Sequence, residues 1–187
     1  RHVPRRRFGV SLLVVAATER ELAPVEGART LTCGIGPVEA AAATARALAE
    51  ERPDAVLHVG IAGARALEPL ALVLGTEAVY CDAAGPLVPA LALPDPALLD
   101  RVHAAVPEAL LRPIGTSARV GGSHTVEVEA MEGFAVLRAC ELAGVPAVEL
   151  RVVANEIDEP DRALWRFEEA FAKLAQTLPR AVAGAAG

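Results

Sequence analysis

The sequence predicts an α/β fold: a three-layer sandwich around a central mixed, mostly parallel sheet. Continuous β-branched apolar runs recur along the chain, the mark of strands buried on both faces. Between them lie stretches rich in strong helix formers, opened by Pro or closed by Gly. The two kinds of segment alternate, which is the order that surrounds a parallel sheet with helices.

FGVSLLVVAA (8–17) is the first buried strand, and ARTLTCGIG (28–36) is a second that ends in glycines. PVEAAAATARALAEE (37–51) is a helix with Pro in its first turn. DAVLHVGIAGA (54–64) is a third strand running into a small-residue loop, and LGTEAVYCDAAG (74–85) is a fourth. The Pro-rich GPLVPALALPDP (85–96) reads as a surface loop. PDPALLDRVHAAV (94–106) is helical with Asp95 as its cap. RPIGTSARVGG (112–122) reads as a strand, and EAMEGFAVLRACELAG (129–144) as a helix that Gly144 ends. VPAVELRVVAN (145–155) is the last strand, and PDRALWRFEEAFAKLAQTL (160–178) is the closing helix, with Asp161 in its first turn.

The 187 residues suffice for one domain with a sizeable core. The basic start RHVPRRR (1–7) reads as an arm, because the apolar run after it leads into the charged TERE with no cleavage signal. A formal net charge of −6 argues against a nucleic-acid partner, whose phosphates call for a basic surface. No apolar run reaches about 18 residues, so no membrane span is expected. Cys33, Cys81 and Cys140 are odd in number and far apart, which fits reduced thiols in the cytoplasm rather than a disulfide framework. His2, His58, His103 and His124 form no ligand-spaced pair, so no metal is expected. A hydrophobic fraction of 53% without a span favours a large core, an oligomer interface, or both.

The strand ends carry the chemistry-bearing residues: Glu19 and Glu21, Gly34 and Gly36, Gly60 and Gly63, and Asn155, the only Asn in the chain. In parallel sheets ligands bind beyond those carboxyl ends. CGIGPVEA is not a complete GxGxxG, because position 39 is Glu, and no GxxxxGK[ST] exists; no nucleotide cofactor is expected. Ala62 and Gly63 either permit a tight turn or let a flat ligand approach the backbone.

Together LLVVAATERELAPV, TCGIGPVEAAAAT, PDAVLHVGIAGA and EAMEGFAVLRACELAGVPAVELRVVANEID resemble the purine nucleoside phosphorylase and nucleosidase superfamily, in order from Phe8 to Leu178. The tail ANEIDEPDRALWR is similar to the futalosine hydrolase family within it. The resemblance implies a nucleoside phosphorylase-like fold, a small-molecule nucleoside substrate, a homo-oligomer and a place in menaquinone biosynthesis. It implies that Glu21 activates water, that Met131 and Glu132 hold ribose, and that Asn155 reads the leaving purine. The alternatives from the residues alone are a first-turn helix Glu for Glu21 and a turn residue for Asn155. A carboxamide suits the N7 and O6 acceptors of hypoxanthine, whereas a protonated Asp suits adenine. His58 and Ile61 stand where phosphorylases of the superfamily carry phosphate-holding Arg and Ser, so water is the expected nucleophile. Arg162, ahead of Arg119, is expected to meet the carboxylate of the benzoate-bearing 5′ substituent, or else to pair with Asp158 or Glu159. Trp165 is expected to anchor the core. The rival activities are a methylthioadenosine/S-adenosylhomocysteine nucleosidase and a non-catalytic nucleoside binder.

Overall fold

A computed structural model describes residues 10–83, 85–123 and 125–187. The expected arm, the first two residues of the first predicted strand and His124 lie outside the described residues. The elements run β1 (Leu12–Ala16), α1 (Glu19–Leu22), β2 (Arg29–Thr32), α2 (Pro37–Glu50), β3 (Ala55–Ala64), β4 (Leu72–Tyr80), β5 (Leu91–Ala92), α3 (Pro96–Ala105), β6 (Leu110–Thr116), β7 (Val128–Ala130), α4 (Gly133–Ala143), β8 (Ala147–Glu156) and α5 (Phe167–Ala186). A single 3₁₀ turn, Arg162–Leu164, precedes α5.

The sheet is mixed, and most of its pairings are parallel. β2, β1, β3 and β8 run parallel side by side. β8 then pairs antiparallel with β4, β4 parallel with β6, β6 parallel with β7, and β7 antiparallel with the far end of β3. Five strands thus close into a ring, which the sandwich expectation does not contain. The ten-residue β3 makes this possible: Ala55–His58 pair with β1, and Gly63 and Ala64 reach on to β7. A register shift at Ala62/Gly63 against β8 marks the bend, as bulges do.

The apolar runs bury both faces. Val14, Leu57, Leu150 and Val152 pack with Leu98 and Val102 of α3 and with Leu174 and Leu178 of α5. Val15 and Val56 pack with Ala40 and Leu48 of α2 and with Val136, Leu137 and Cys140 of α4. Each fully buried aliphatic side chain contributes about 1.5–3 kcal/mol. The Asp95 cap forms as expected, its carboxylate accepting from Leu98 N at 2.8 Å, and Gly144 ends α4 with φ +63°.

Several segments differ from expectation. Glu129 and Ala130 belong to strand β7, because pairing with β3 and β6 overrides the helix propensity of the following residues; α4 starts at Gly133. The closing helix starts at Phe167, and it runs past Pro179 to Ala186. Its continuation is held by close packing on α3: a Cβ at Gly184 would stand 2.7 Å from Ala105 Cβ. The strands expected over 74–85 and 112–122 end at Tyr80 and Thr116.

Candidate active site

β8 reads AVELRVVANE. Strand alternation turns Leu150, Val152 and Ala154 toward the α3 and α5 side, so Glu149 and Arg151 share the opposite face. Both are fully buried, and a buried guanidinium needs partners. Arg151 Nε donates to Glu149 Oε1 at 2.8 Å, Nη2 to His58 Nε2 at 2.5 Å and to Glu132 Oε2 at 3.4 Å, and Nη1 to Ile61 O at 3.3 Å. The β3–β8 register sets this up by placing His58 opposite Glu149 and Gly60 opposite Arg151.

His58 Nδ1 lies 3.0 Å from Val15 O, so it carries the ring proton and Nε2 is the acceptor for Arg151. Burial, and then the neighbouring Arg151 charge, hold the imidazole pKa well below 6.5, which keeps it neutral. Burial pushes the Glu149 carboxyl up, while Arg151 pulls it back. Among the described residues Glu149 Oε2 has no hydrogen-bond partner. It lies against Gly133, where any Cβ would overlap the carboxylate.

Glu21 is the third residue of α1 and reaches back over its start. Its Oε2 accepts from Thr18 N at 2.9 Å and from Thr18 Oγ1 at 2.7 Å, and its Oε1 accepts from Ile61 N at 3.2 Å. It is thus both a helix-start residue and a buried pocket residue, only 4% exposed. Glu19 is exposed and not in the pocket.

Glu132 sits between β7 and α4. Its Oε1 accepts from Gly36 N at 3.0 Å, and its Oε2 receives Arg151. Gly36 has φ +95°, a conformation that favours glycine, so the CGIG turn aims an N–H at a carboxylate rather than at a cofactor phosphate. The Phe134 N–H at the start of α4 is bound by Thr116 Oγ1 at 2.7 Å.

Asn155 is half-buried on the last turn of β8 into the pocket, opposite Gly63. A Cβ at Gly63 would stand 3.0 Å from Asn155 Nδ2 and 3.0 Å from Ile157 Cγ1, so the glycine makes room for the amide. Asn155 Nδ2 donates to Glu156 O at 3.0 Å, which leaves its second N–H free of that bond.

Glu21, Glu132, Arg151 and Asn155 line one cavity of about 420 Å³ at the carboxyl ends of β1, β3 and β8, where the parallel strands predict a ligand. Glu21, Ala62, Gly63, Met131, Glu132, Asn155 and Arg162 all border it. Arg119 does not border it; Val120 does. Arg162 pairs with neither alternative partner: its guanidinium lies over the Trp165 ring at 5.2 Å, while Asp158 engages Arg65. Trp165 is not the expected core anchor. It precedes α5, is half-buried, donates from Nε1 to Glu159 O at 3.1 Å, and forms an aromatic wall of the cavity with Phe167 and Phe171.

Residue-by-residue expectation missed Arg151, Glu149 and Glu129. The signal for the first two was a charged pair inside the apolar run AVELRVVA, a placement that burial makes costly without a purpose. Glu129, also in the cavity wall, accepts from Gly121 N at 2.6 Å and from Ser123 N, pinning the loop that carries Val120.

The chain belongs to the phosphorylase superfamily, whose sequence pattern matches residues 27–186. Within it, the chain is 33% identical to the futalosine hydrolase of Streptomyces coelicolor, over 82% of this chain and 77% of that one. It is 34% identical to the futalosine hydrolase of Thermus thermophilus, over 84% and 82%. Its fold is also that of a 5′-methylthioadenosine/S-adenosylhomocysteine nucleosidase from Colwellia psychrerythraea, solved with adenine: TM-score 0.80, 21% identity, and 96% of each chain covered.

Proposed function

We propose that this chain is a nucleosidase that hydrolyses the N-glycosidic bond of futalosine, giving hypoxanthine and dehypoxanthine futalosine. The observation that carries the reading is the convergence of Glu21, Glu132 and Asn155 on one cavity beside the buried Arg151. The identity to two futalosine hydrolases supports the choice of nucleoside.

A water held between Glu21 and Arg151 loses a proton to the Glu21 carboxylate as its oxygen bonds to the anomeric carbon. The glycosidic C–N bond breaks, and its electron pair leaves with the purine. Asn155 donates an N–H to the departing base, where negative charge develops. Glu132, already fixed by Gly36 and Arg151, has lone pairs left for two ribose hydroxyls, and Met131 packs against the sugar. The purine then takes up a proton and Glu21 gives its own to solvent, so water is the net reactant. Arg162 and the aromatic wall receive the 5′ substituent.

The same reading describes the molecule as one domain with helical layers on both sides of the sheet, acting in the cytoplasm as a homo-oligomer. Val38 and Leu142 support the last point: both are exposed along the groove between α2 and α4. No helix among the described residues is long and apolar enough to cross a membrane.

Chromatography of futalosine incubated with the protein, with and without phosphate, tests the activity. Hypoxanthine should appear at the same rate in both. Faster release of adenine from methylthioadenosine would replace this reading with the adenine-specific one.

A further inference from the structure

Glu149 and His58 stand behind Arg151. Neither borders the cavity, and both are fully buried. A buried carboxylate with one oxygen unpartnered among the described residues is a destabilising choice for a residue whose only task is to fill a strand. What these two do achieve is to occupy Arg151 from inside the protein.

A guanidinium grips a tetrahedral oxyanion with two parallel N–H groups and net positive charge. Arg151 offers neither. Nε is taken by Glu149, and both hydrogens of Nη2 are taken by His58 and Glu132. Nη1 gives one hydrogen to Ile61 O, which leaves a single N–H without a protein acceptor among the described residues. The positive charge faces three carboxylates, Glu149, Glu132 and Glu21. A dianion brought among them would be repelled, with little water present to screen it. One free donor beside the Glu21 carboxylate suits a water molecule instead.

We propose that Glu149 and His58 are the specificity-determining residues that exclude phosphate and leave water as the nucleophile. They act as positioning residues, through Arg151. The proposal rests on the hydrolase reading of the site and adds the reason why a member of a phosphorylase superfamily would hydrolyse.

Phosphate binding to the full chain tests it, by calorimetry and by melting temperature against chloride at matched ionic strength. The wild type is compared with Glu149→Gln, which removes the charge, and His58→Asn, which frees an Nη2 hydrogen. Each variant should bind phosphate at least tenfold more tightly than the wild type, and phosphate should become a competitor of the nucleoside. A purely structural role would lower the melting temperature and leave phosphate affinity where it was; that result overturns the proposal. So does a wild type whose melting temperature phosphate raises over chloride at matched ionic strength, a measurement that stands even if both variants fail to fold. A wild type that releases hypoxanthine from neither futalosine nor inosine would instead sink the functional reading, because the phosphate measurement needs no turnover.

Discussion

Gly60 and Arg151 face each other across β3 and β8, and the absent side chain of one makes room for the guanidinium of the other. A Cβ at Gly60 would collide with Arg151 Nη1 and stand 2.7 Å from Glu21 Oε1. Both atoms therefore crowd the same side of this strand residue without forming an ion pair with each other. Gly60→Ala must push one of them away. Overpacking of this kind costs about 1–3 kcal/mol, and here it also displaces a pocket charge. The expected result is a lower melting temperature together with at least a tenfold fall in kcat. Unchanged turnover would show that the Glu21–Arg151 geometry is not needed.

Glu21→Gln separates the two jobs of Glu21. A glutamine oxygen can still accept from Thr18, so the helix-start bonding survives, but the Ile61 N–H then faces the amide NH2 and loses its acceptor, so stability should fall by about 1–3 kcal/mol. The amide cannot take a proton from water. Turnover should fall by about 10²–10⁴, with KM nearly unchanged. A variant with full kcat would remove Glu21 from the mechanism.

His58 gives the fold an acid-side weakness. Its folded pKa is depressed well below 6.5, first by burial and then by Arg151. Below about pH 6.5 the unfolded ring gains a proton that the folded ring refuses, so stability falls with pH, by up to about 1.4 kcal/mol per unit. Glu149 works with the opposite sign: its raised folded value means that the native state binds the extra proton in the range just above 4.5. In His58→Asn the first contribution is gone. Its melting temperature should drop less than that of the wild type between pH 6.5 and 5.5. Parallel curves would mean that His58 is not held neutral.

Much of this site is legible in the chain before folding, and the reason is positional. Glu21 and Asn155 stand at the ends of apolar runs, and strand ends are where parallel sheets gather ligands, whereas Met131 and Glu132 read from the residues alone as a helix start and come only from the family resemblance. Arg151 and Glu149 are hidden because they sit mid-strand, and only the β3–β8 register shows that they meet His58. The ring closure is hidden for a related reason. β7 is three residues long, and its pairing is decided by the far end of β3 rather than by its own sequence. Trp165 reads as a helix residue, but the chain makes a 3₁₀ turn at Arg162–Leu164 first and brings the ring to the cavity.

Asn155→Asp bears most directly on the choice of base. The Asn155 amide donates to Glu156 O at 3.0 Å and sits against Gly63. An ionised aspartate here would point a carboxylate at that carbonyl with no hydrogen between them. A protonated one could keep the bond, or could donate to N7 of a purine and accept from an adenine amino group. In neither state can it donate to both acceptors of hypoxanthine. A site left with a buried mispaired polar group discriminates by up to about 10⁴–10⁵. Asn155 is half-buried and already shares one hydrogen with Glu156, so a shift of about 10² in the ratio of hypoxanthine to adenine release is expected. Competing futalosine with methylthioadenosine in one reaction, and following both bases, measures that ratio directly. Should it stay the same in the variant, base selection lies elsewhere in the cavity and Asn155 is a strand-end turn residue after all.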